Sequence, residues 1–168
     1  MEEWFDVVNR QDEAVACARR AYVHAHGLRH RSVHLLVFDE TAQRVYLQLR
    51  SAEKDTHPLV WDTSCCGHVD RGEDYETALW RELREELGLA REDLQCVAFC
   101  FKLEACAVTG WEFVHVYQSS TVQEPRPDPA EIQEGRWVER EVVDSWVATQ
   151  PADFAPSFRY LWPRVSGL

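Results

Sequence analysis

The segment from Gly67 to Leu89, GHVDRGEDYETALWRELREELGL, constrains the fold of this chain more than any other segment. It fits the spacing G-x5-E-x7-R-E-U-x-E-E-x-G-U, where U is apolar, at every fixed position. Its second half, from Tyr75 to Leu87, contains strong helix formers and neither Gly nor Pro. Asp74 is a candidate N-cap, and Gly88 stands where a helix would end in a left-handed conformation. The segment therefore predicts a turn followed by one helix with defined ends.

The predicted helix carries three acidic side chains on one face. Because Glu82 precedes Glu85 by three residues and Glu86 by four, the three carboxylates lie close together. Like charges at these spacings repel each other unless a positive group lies among them. Carboxylate oxygens are also the ligands that hard divalent cations prefer. The spacing therefore indicates a metal site, with Arg81 four residues before Glu85 as a neighbouring cation.

These fixed residues resemble the signature of the Nudix hydrolases, which cleave diphosphate bonds with magnesium or manganese. The resemblance implies that Glu82, Glu85 and Glu86, together with the Gly67 carbonyl, hold Mg²⁺ or Mn²⁺. It implies that Glu85 or Glu86 also acts as the general base, and that Arg81 orients the ligands. The implied fold class is α/β, a Nudix-type α/β/α sandwich with a mixed sheet.

A second resemblance extends over most of the chain. A histidine-rich entry, a strand, QLR, a K-D-x-x-P loop, W-D-x-S and G-H follow in the order seen in the isopentenyl diphosphate isomerase branch of the same superfamily. This resemblance implies that Cys66 and Glu112 match the catalytic cysteine and glutamate of the isomerase. It also implies that His34 and His68 match two metal-binding histidines. A third histidine, at His24 or His26, has a spacing that does not fit.

Three departures favour hydrolysis over isomerisation. The isomerase has a degenerate form of the acidic segment, whereas this chain keeps all three carboxylates. Ser157 stands where the isomerase carries a tryptophan that stabilises a cation, and serine offers no aromatic face. Gly110 replaces a second glutamate. The first interpretation is therefore a metal-dependent hydrolase of a nucleoside diphosphate linked to another moiety, or of a related organic diphosphate. The alternative is an isomerase-like enzyme acting on prenyl diphosphates. The intact acidic segment argues against a third possibility, a ligand sensor without enzymatic activity.

Other polar residues have a structural as well as a functional interpretation. The run HAHGLRH is interpreted as a solvated turn rather than a metal cage. His34 and His68 are each as consistent with a packed histidine as with a ligand. Cys66 is interpreted as a buried strand residue, with a catalytic thiol as the alternative. Glu112 is interpreted as functional, because a carboxylate in an otherwise apolar strand is costly to bury without a partner. Trp61 and Trp111 are candidates for stacking on a base or packing on a prenyl tail.

Composition limits the possible partners. A chain of 168 residues predicts one domain, residues 1–168. A formal net charge of −11 argues against nucleic acid and anionic membranes, since both bind clustered Lys and Arg. The expected partner is a small diphosphate whose charge a metal ion neutralises. The acidic start has no signal-peptide core, so a cytoplasmic protein is expected. The six cysteines form no CxxC pair, which argues against a zinc ribbon.

Periodicity and turn residues predict the remaining elements. Strands are expected at 4–9, 14–19, 31–38, 44–50, 61–66, 95–103, 111–119 and 136–138. Further helices are expected at 139–148 and 154–162. Such a mixture predicts one sheet covered by helices on both sides.

Overall fold

A computed structural model describes residues 3–165, which contain nine strands and four α-helices. The strands are β1 (Trp4–Val8), β2 (Ala14–Arg19), β3 (His30–Asp39), β4 (Arg44–Arg50), β5 (Trp61–Asp62), β6 (Cys65–His68), β7 (Leu94–Leu103), β8 (Glu112–Thr121) and β9 (Ile132–Glu139). The helices are α1 (Arg20–Ala25), α2 (Tyr75–Leu87), α3 (Arg140–Thr149) and α4 (Pro156–Val165). A single domain over 1–168 stays a prediction, and its two ends lie outside the described residues.

The strands form a two-stranded hairpin, β1–β2, and a seven-stranded mixed sheet. The main path of the large sheet is β5-β4-β3-β8-β7, while β6 pairs with β3 and β9 pairs with β4. The central pair, β3 and β8, is parallel, and its neighbours are antiparallel. The predicted mixed sheet is therefore confirmed.

Two hydrophobic clusters cover opposite faces of this sheet. Alternate residues of β3 point to opposite sides, so Leu35 belongs to one cluster and Leu36 to the other. The first cluster includes Leu83 of α2, and the second includes Phe158 and Trp162 of α4. Helices thus pack on both faces, which confirms the predicted α/β/α sandwich. In the described part of the chain, no helix is long and apolar enough to cross a membrane.

The ends of α2 are set by the residues that the sequence indicates. Asp74 Oδ1 accepts a hydrogen bond from the Thr77 amide at 2.7 Å, as an N-cap does. Gly88 has φ of 61°, a left-handed conformation that favours glycine, and its amide donates to the Arg84 carbonyl. These two caps fix which side chains of α2 face the sheet.

Several elements differ from the prediction. The strand expected at 136–138 is longer, Ile132–Glu139, and helix α1, Arg20–Ala25, was not predicted. The strand expected at 61–66 is split into β5 and β6, because β5 pairs with β4 whereas β6 pairs with β3. Between them, the Ser64 hydroxyl donates to the Tyr46 carbonyl and accepts from the Val37 amide, and so joins the two neighbouring strands. The last helix begins at Pro156 rather than at residue 154, which agrees with the preference of proline for the first helical turn.

Candidate active site

A cleft of about 980 Å³ is bounded by α2, β6 and the segment that leads into β8. All the candidate catalytic and metal-binding residues line this cleft: His34, Cys66, Gly67, His68, Arg81, Glu82, Glu85, Glu86 and Glu112. Sequence positions that are far apart therefore meet in one place. Their contacts divide them into an acidic group on α2 and two separate groups that contain histidines.

Arg81 organises the acidic group. Its guanidinium donates two hydrogen bonds to Glu73, at 2.9 and 2.8 Å, one to Glu82 at 2.6 Å and one to Glu85 at 3.2 Å. A further bond, at 2.9 Å, reaches the carbonyl of His68. The hydrogen bonds to Glu73 raise the pKa of Arg81 above its ordinary value. Arg81 therefore stays charged and fixes the acidic face of α2 against the end of β6.

Glu82 lies against Gly67, at the point where α2 approaches β6 most closely. A methyl group on Gly67 would overlap the carboxylate of Glu82, so only glycine fits there without displacing it. The Glu82 side chain is 14% exposed. Burial and the neighbouring carboxylate of Glu86 raise the pKa of Glu82 to about 8. Arg81 lowers this pKa but does not offset burial, so a further cation would favour the ionised form of Glu82.

Glu86 is the most deeply buried acid of the group, with 1% of its surface exposed. Its Oε2 accepts from the Cys66 amide at 3.0 Å and from Gln48 Nε2 at 3.2 Å. Its Oε1 has no hydrogen-bond partner among the described residues and lies 3.7 Å from Lys54 Nζ. Burial raises the pKa of Glu86. A buried carboxylate oxygen without a donor, beside a second buried carboxylate, fits a divalent cation.

Glu85 differs from its neighbours because its side chain is 58% exposed and is held by Arg81. Exposure therefore increases from Glu86 at the floor of the cleft, through Glu82, to Glu85 at its rim. Cations line the same cleft, including Arg50 and Lys54 from β4 and the loop after it. Arg50 is 8% exposed and donates to the carbonyls of Thr56 and His57. A cleft with fixed cations and an acidic floor suits an anionic substrate bound with a metal.

A second group, the histidine cluster, consists of His24, His30, His68 and Glu112. One donor atom from each side chain lies within 4.8 Å of all the others. His68 Nε2 lies 3.3 Å from Glu112 Oε1 and 3.3 Å from His24 Nε2. His30 Nε2 lies 3.5 Å from Glu112 Oε1. The parallel register of β3 and β8 places His30 directly beside Glu112. Four elements therefore deliver one ligand atom each to a single point.

The donor set of the histidine cluster fits a divalent ion. His30 Nδ1 lies 2.9 Å from the Leu28 carbonyl, which can only accept, so Nδ1 carries the proton and Nε2 has a free lone pair. His30 Nε2 is buried and has no hydrogen-bond partner in the described part of the chain. Phe5 covers the cluster, with its ring stacked 4.6 Å from that of His68 and 5.4 Å from that of His30.

Burial and charge keep this cluster in a state that suits metal binding. Burial lowers the pKa of His68, and it lowers the pKa of His24 to about 4 with help from the rings of His68 and His30. Burial alone would raise the pKa of Glu112, but the contacts of its carboxylate with the rings of His30 and His68 outweigh it and hold the pKa well below its ordinary value. At pH 7, His24 and His68 are therefore neutral and Glu112 is ionised.

The interpretation of HAHGLRH as a solvated turn is wrong for two of its histidines. His24 ends up in α1 with 18% of its side chain exposed, and His30 is fully buried at the start of β3. His26 alone faces solvent and contacts the Tyr22 carbonyl. His30 was missed because its partner, Glu112, becomes its neighbour only through parallel pairing of two distant strands. His34 lies outside the histidine cluster, in which His30 is the neighbour of Glu112, and its match to a metal-binding histidine stays a prediction.

His34 belongs instead to a third group, the Cys66 cluster, formed by His34, Asp62 and Cys66. The three residues are 4%, 3% and 7% exposed. Cys66 Sγ lies 3.5 Å from Arg50 Nη1 and 3.8 Å from Asp62 Oδ2. Burial raises the pKa of the Cys66 thiol well above its ordinary value. The thiol is therefore protonated at pH 7 in the absence of a ligand.

The two candidate stacking tryptophans have different surroundings. Trp61 is 7% exposed and packs in the core beside Trp146, so it is not available to a substrate. Trp111 is 38% exposed and lines the cleft next to Glu112. Ser157 also lines the cleft, where it offers a hydroxyl and no ring.

This chain is similar to several known proteins. The NUDIX domain family matches residues 28–161. Isopentenyl-diphosphate Delta-isomerase of Nocardia farcinica is 37% identical over 155 residues, which cover 90% of this chain and 87% of that protein. Nudix hydrolase 3 of Arabidopsis thaliana is 38% identical over 117 residues, which cover 68% of this chain and 15% of that protein. A crystal structure of a Deinococcus radiodurans protein has a TM-score of 0.82 and 27% identity, covering 96% of this chain and 98% of that one.

Proposed function

Because this chain belongs to the Nudix family, which its match over residues 28–161 establishes, we propose that it is a divalent-metal-dependent hydrolase of a diphosphate bond. The proposed substrate is a nucleoside diphosphate linked to another moiety or a related small organic diphosphate. The observation that carries this proposal is the pair of buried carboxylates, Glu82 and Glu86. They lie together in the cleft, and Glu86 Oε1 has no hydrogen-bond donor in the described part of the chain.

Each residue of the acidic group has a distinct task in this proposal. Glu82, Glu85 and Glu86, with the carbonyl of Gly67, would hold Mg²⁺ or Mn²⁺. Such an ion neutralises the diphosphate and lowers the pKa of a bound water. Arg81 positions the ligands through its bonds to Glu73, Glu82 and Glu85.

Proton transfer and substrate anchoring use other parts of the cleft. A carboxylate, Glu85, Glu86 or Glu112, accepts the proton of the attacking water. Arg50 and Lys54 contribute fixed positive charge near the buried acids, where a diphosphate would lie. The histidine cluster would hold a second divalent ion, since its four donor atoms converge and His30 Nε2 has a free lone pair.

Isomerisation of a prenyl diphosphate is the second candidate function. It is favoured by Cys66 and Glu112, which line the same cleft, and by relatives named as isomerases. Against it stand the serine at Ser157, the glycine at Gly110 and the complete set of carboxylates on α2. Hydrolysis uses all three carboxylates of α2, whereas isomerisation leaves Glu82 and Glu85 without a task.

One set of assays separates these two functions. The protein is incubated with Mg²⁺ or Mn²⁺ and a panel of nucleoside diphosphates and triphosphates, nucleotide sugars, dinucleoside polyphosphates and prenyl diphosphates, with and without a chelator. We expect metal-dependent release of phosphorylated products, retained within a few-fold in Cys66→Ala, because a metal-activated water needs no thiol. Proton exchange into isopentenyl diphosphate in deuterated water, abolished by Cys66→Ala, would contradict the proposal and favour the isomerase.

A further inference from the structure

The Cys66 cluster offers three different donor types to one point of the cleft. Cys66 provides sulfur, His34 provides nitrogen and Asp62 provides oxygen, with one donor atom of each within 4.8 Å of the other two. This combination of donors matters because Zn²⁺ and related ions bind sulfur and imidazole nitrogen more readily than Mg²⁺ does. We propose that His34, Asp62 and Cys66 form a separate binding site for a thiophilic divalent cation such as Zn²⁺, and that an ion bound there inhibits hydrolysis.

The spacing of Cys66 and Asp62 agrees with tetrahedral coordination. Metal–ligand bonds of about 2.0–2.3 Å at tetrahedral angles separate neighbouring ligand atoms by about 3.3–3.8 Å. Cys66 Sγ lies 3.8 Å from Asp62 Oδ2, and the His34 ring lies 3.8 Å from the other carboxylate oxygen, Asp62 Oδ1. Three protein ligands leave a fourth position for a water, and all three residues line the cleft.

The surroundings of the cluster hold its side chains in place. The Thr63 hydroxyl lies 3.0 Å from His34 Nδ1, and the Thr63 amide donates to Asp62 Oδ1 at 2.8 Å. Such contacts orient ligands before an ion arrives. Gln48 is fully buried, and its Oε1 has no hydrogen-bond partner among the described residues, although its Nε2 reaches Cys66 Sγ at 3.5 Å. A water on the ion would give this oxygen a donor.

Arg50 is the cation with which a metal ion would compete. Its Nη1 lies 3.5 Å from Cys66 Sγ and 3.8 Å from Asp62 Oδ2. Metal binding forms a bond to the sulfur as thiolate and releases the thiol proton to solvent, with no change of oxidation state. The incoming ion therefore replaces the charge of Arg50 beside Asp62.

The cluster is directly connected to the acidic group. Glu86 Oε2 accepts from the Cys66 amide and from the same Gln48 Nε2 that reaches the Cys66 sulfur. An ion bound to Cys66 occupies the sulfur lone pairs that otherwise accept hydrogen bonds. It also adds positive charge close to Glu86 and Arg50. We therefore expect zinc to compete with the magnesium-supported reaction and with the anchoring of the diphosphate.

Cobalt(II) provides a spectroscopic test that does not depend on activity. One equivalent of Co²⁺ added to the full chain should give a thiolate-to-cobalt charge-transfer band, and Zn²⁺ should displace it. Cys66→Ser should abolish the band, and Asp62→Asn should weaken Co²⁺ binding at least tenfold. Two matched controls should keep the band: Cys106→Ser, which removes a more accessible thiol, and His68→Gln, which disrupts the histidine cluster. Circular dichroism and thermal melts establish that each variant is folded.

The same titration identifies the outcomes that overturn the proposal. The absence of a charge-transfer band in the folded wild type would overturn it, as would a band that survives Cys66→Ser or disappears in Cys106→Ser. Arg50→Gln supplies an independent measurement, because removing the competing cation should tighten Co²⁺ binding at least tenfold. Unchanged or weaker binding in that variant would overturn the placement of the ion beside Cys66. These results are independent of whether the protein hydrolyses any diphosphate.

Discussion

Adjacent acids on α2 have very different surroundings, and this difference can be tested one residue at a time. Glu86 is 1% exposed, whereas the side chain of Glu85 is 58% exposed. Both are proposed ligands, so Glu85→Gln or Glu86→Gln should lower the rate of diphosphate hydrolysis by about 10²-fold or more. Glu76→Gln is the matched control, because Glu76 lies in the first turn of the same helix, and it should leave the rate unchanged. Near-wild-type rates in both ligand variants would exclude the metal assignment.

Glu82 predicts how the stability of the metal-free protein depends on pH. Burial and Glu86 raise its pKa from an ordinary 4.5 to about 8 in the folded state. Between these values the folded protein holds a proton that the unfolded chain has lost, so the free energy of unfolding falls as pH rises from about 4.5 to about 8. In Glu82→Gln this fall should be smaller. Urea unfolding in chelator across this range measures both slopes, and equal slopes would contradict the assignment.

At the scale of elements, the close approach of α2 to β6 depends on Gly67. A side chain there would displace the carboxylate of Glu82, so Gly67→Ala should lower the hydrolysis rate about as much as Glu82→Gln does. If both changes act through the same carboxylate, the double variant should be little worse than either single one. Additive losses measured in this cycle would mean that Gly67 acts through the backbone of β6 instead.

The individual helices and strands were easier to predict from the sequence than the contacts between them. The helix α2 and most strands follow from local information: caps at Asp74 and Gly88, apolar periodicity and turn residues. The split between β5 and β6 depends on which strand each one pairs with, and pairing partners are not encoded locally. The same reason explains His30. It stands at the start of an apolar strand, where nothing in the local sequence marks it as functional. Only the register with β8 makes it a neighbour of Glu112.

At the scale of the whole molecule, metal binding should be visible as stability. An ion that binds the carboxylates of the folded protein and not the unfolded chain stabilises the folded state, so Mg²⁺ or Mn²⁺ should raise the melting temperature. At a hundredfold excess over the dissociation constant, the gain should be about 2.7 kcal/mol. Melts with increasing Mg²⁺ and with matched ionic strength of NaCl separate specific binding from screening. A melting temperature that responds equally to both salts would count against the site.

The parallel pairing of β3 and β8 also sets the order in which the molecule can assemble. His30 and Glu112 sit side by side, yet β4 to β7 and α2 intervene along the chain. Closing so long a loop has an entropic cost that is met only when the distant contacts form, so we expect the histidine cluster to form late on the folding pathway. An ion held there would lower the unfolding rate and leave the folding rate nearly unchanged. Bound metal would then prolong the lifetime of the native state by slowing unfolding, and it would not speed folding.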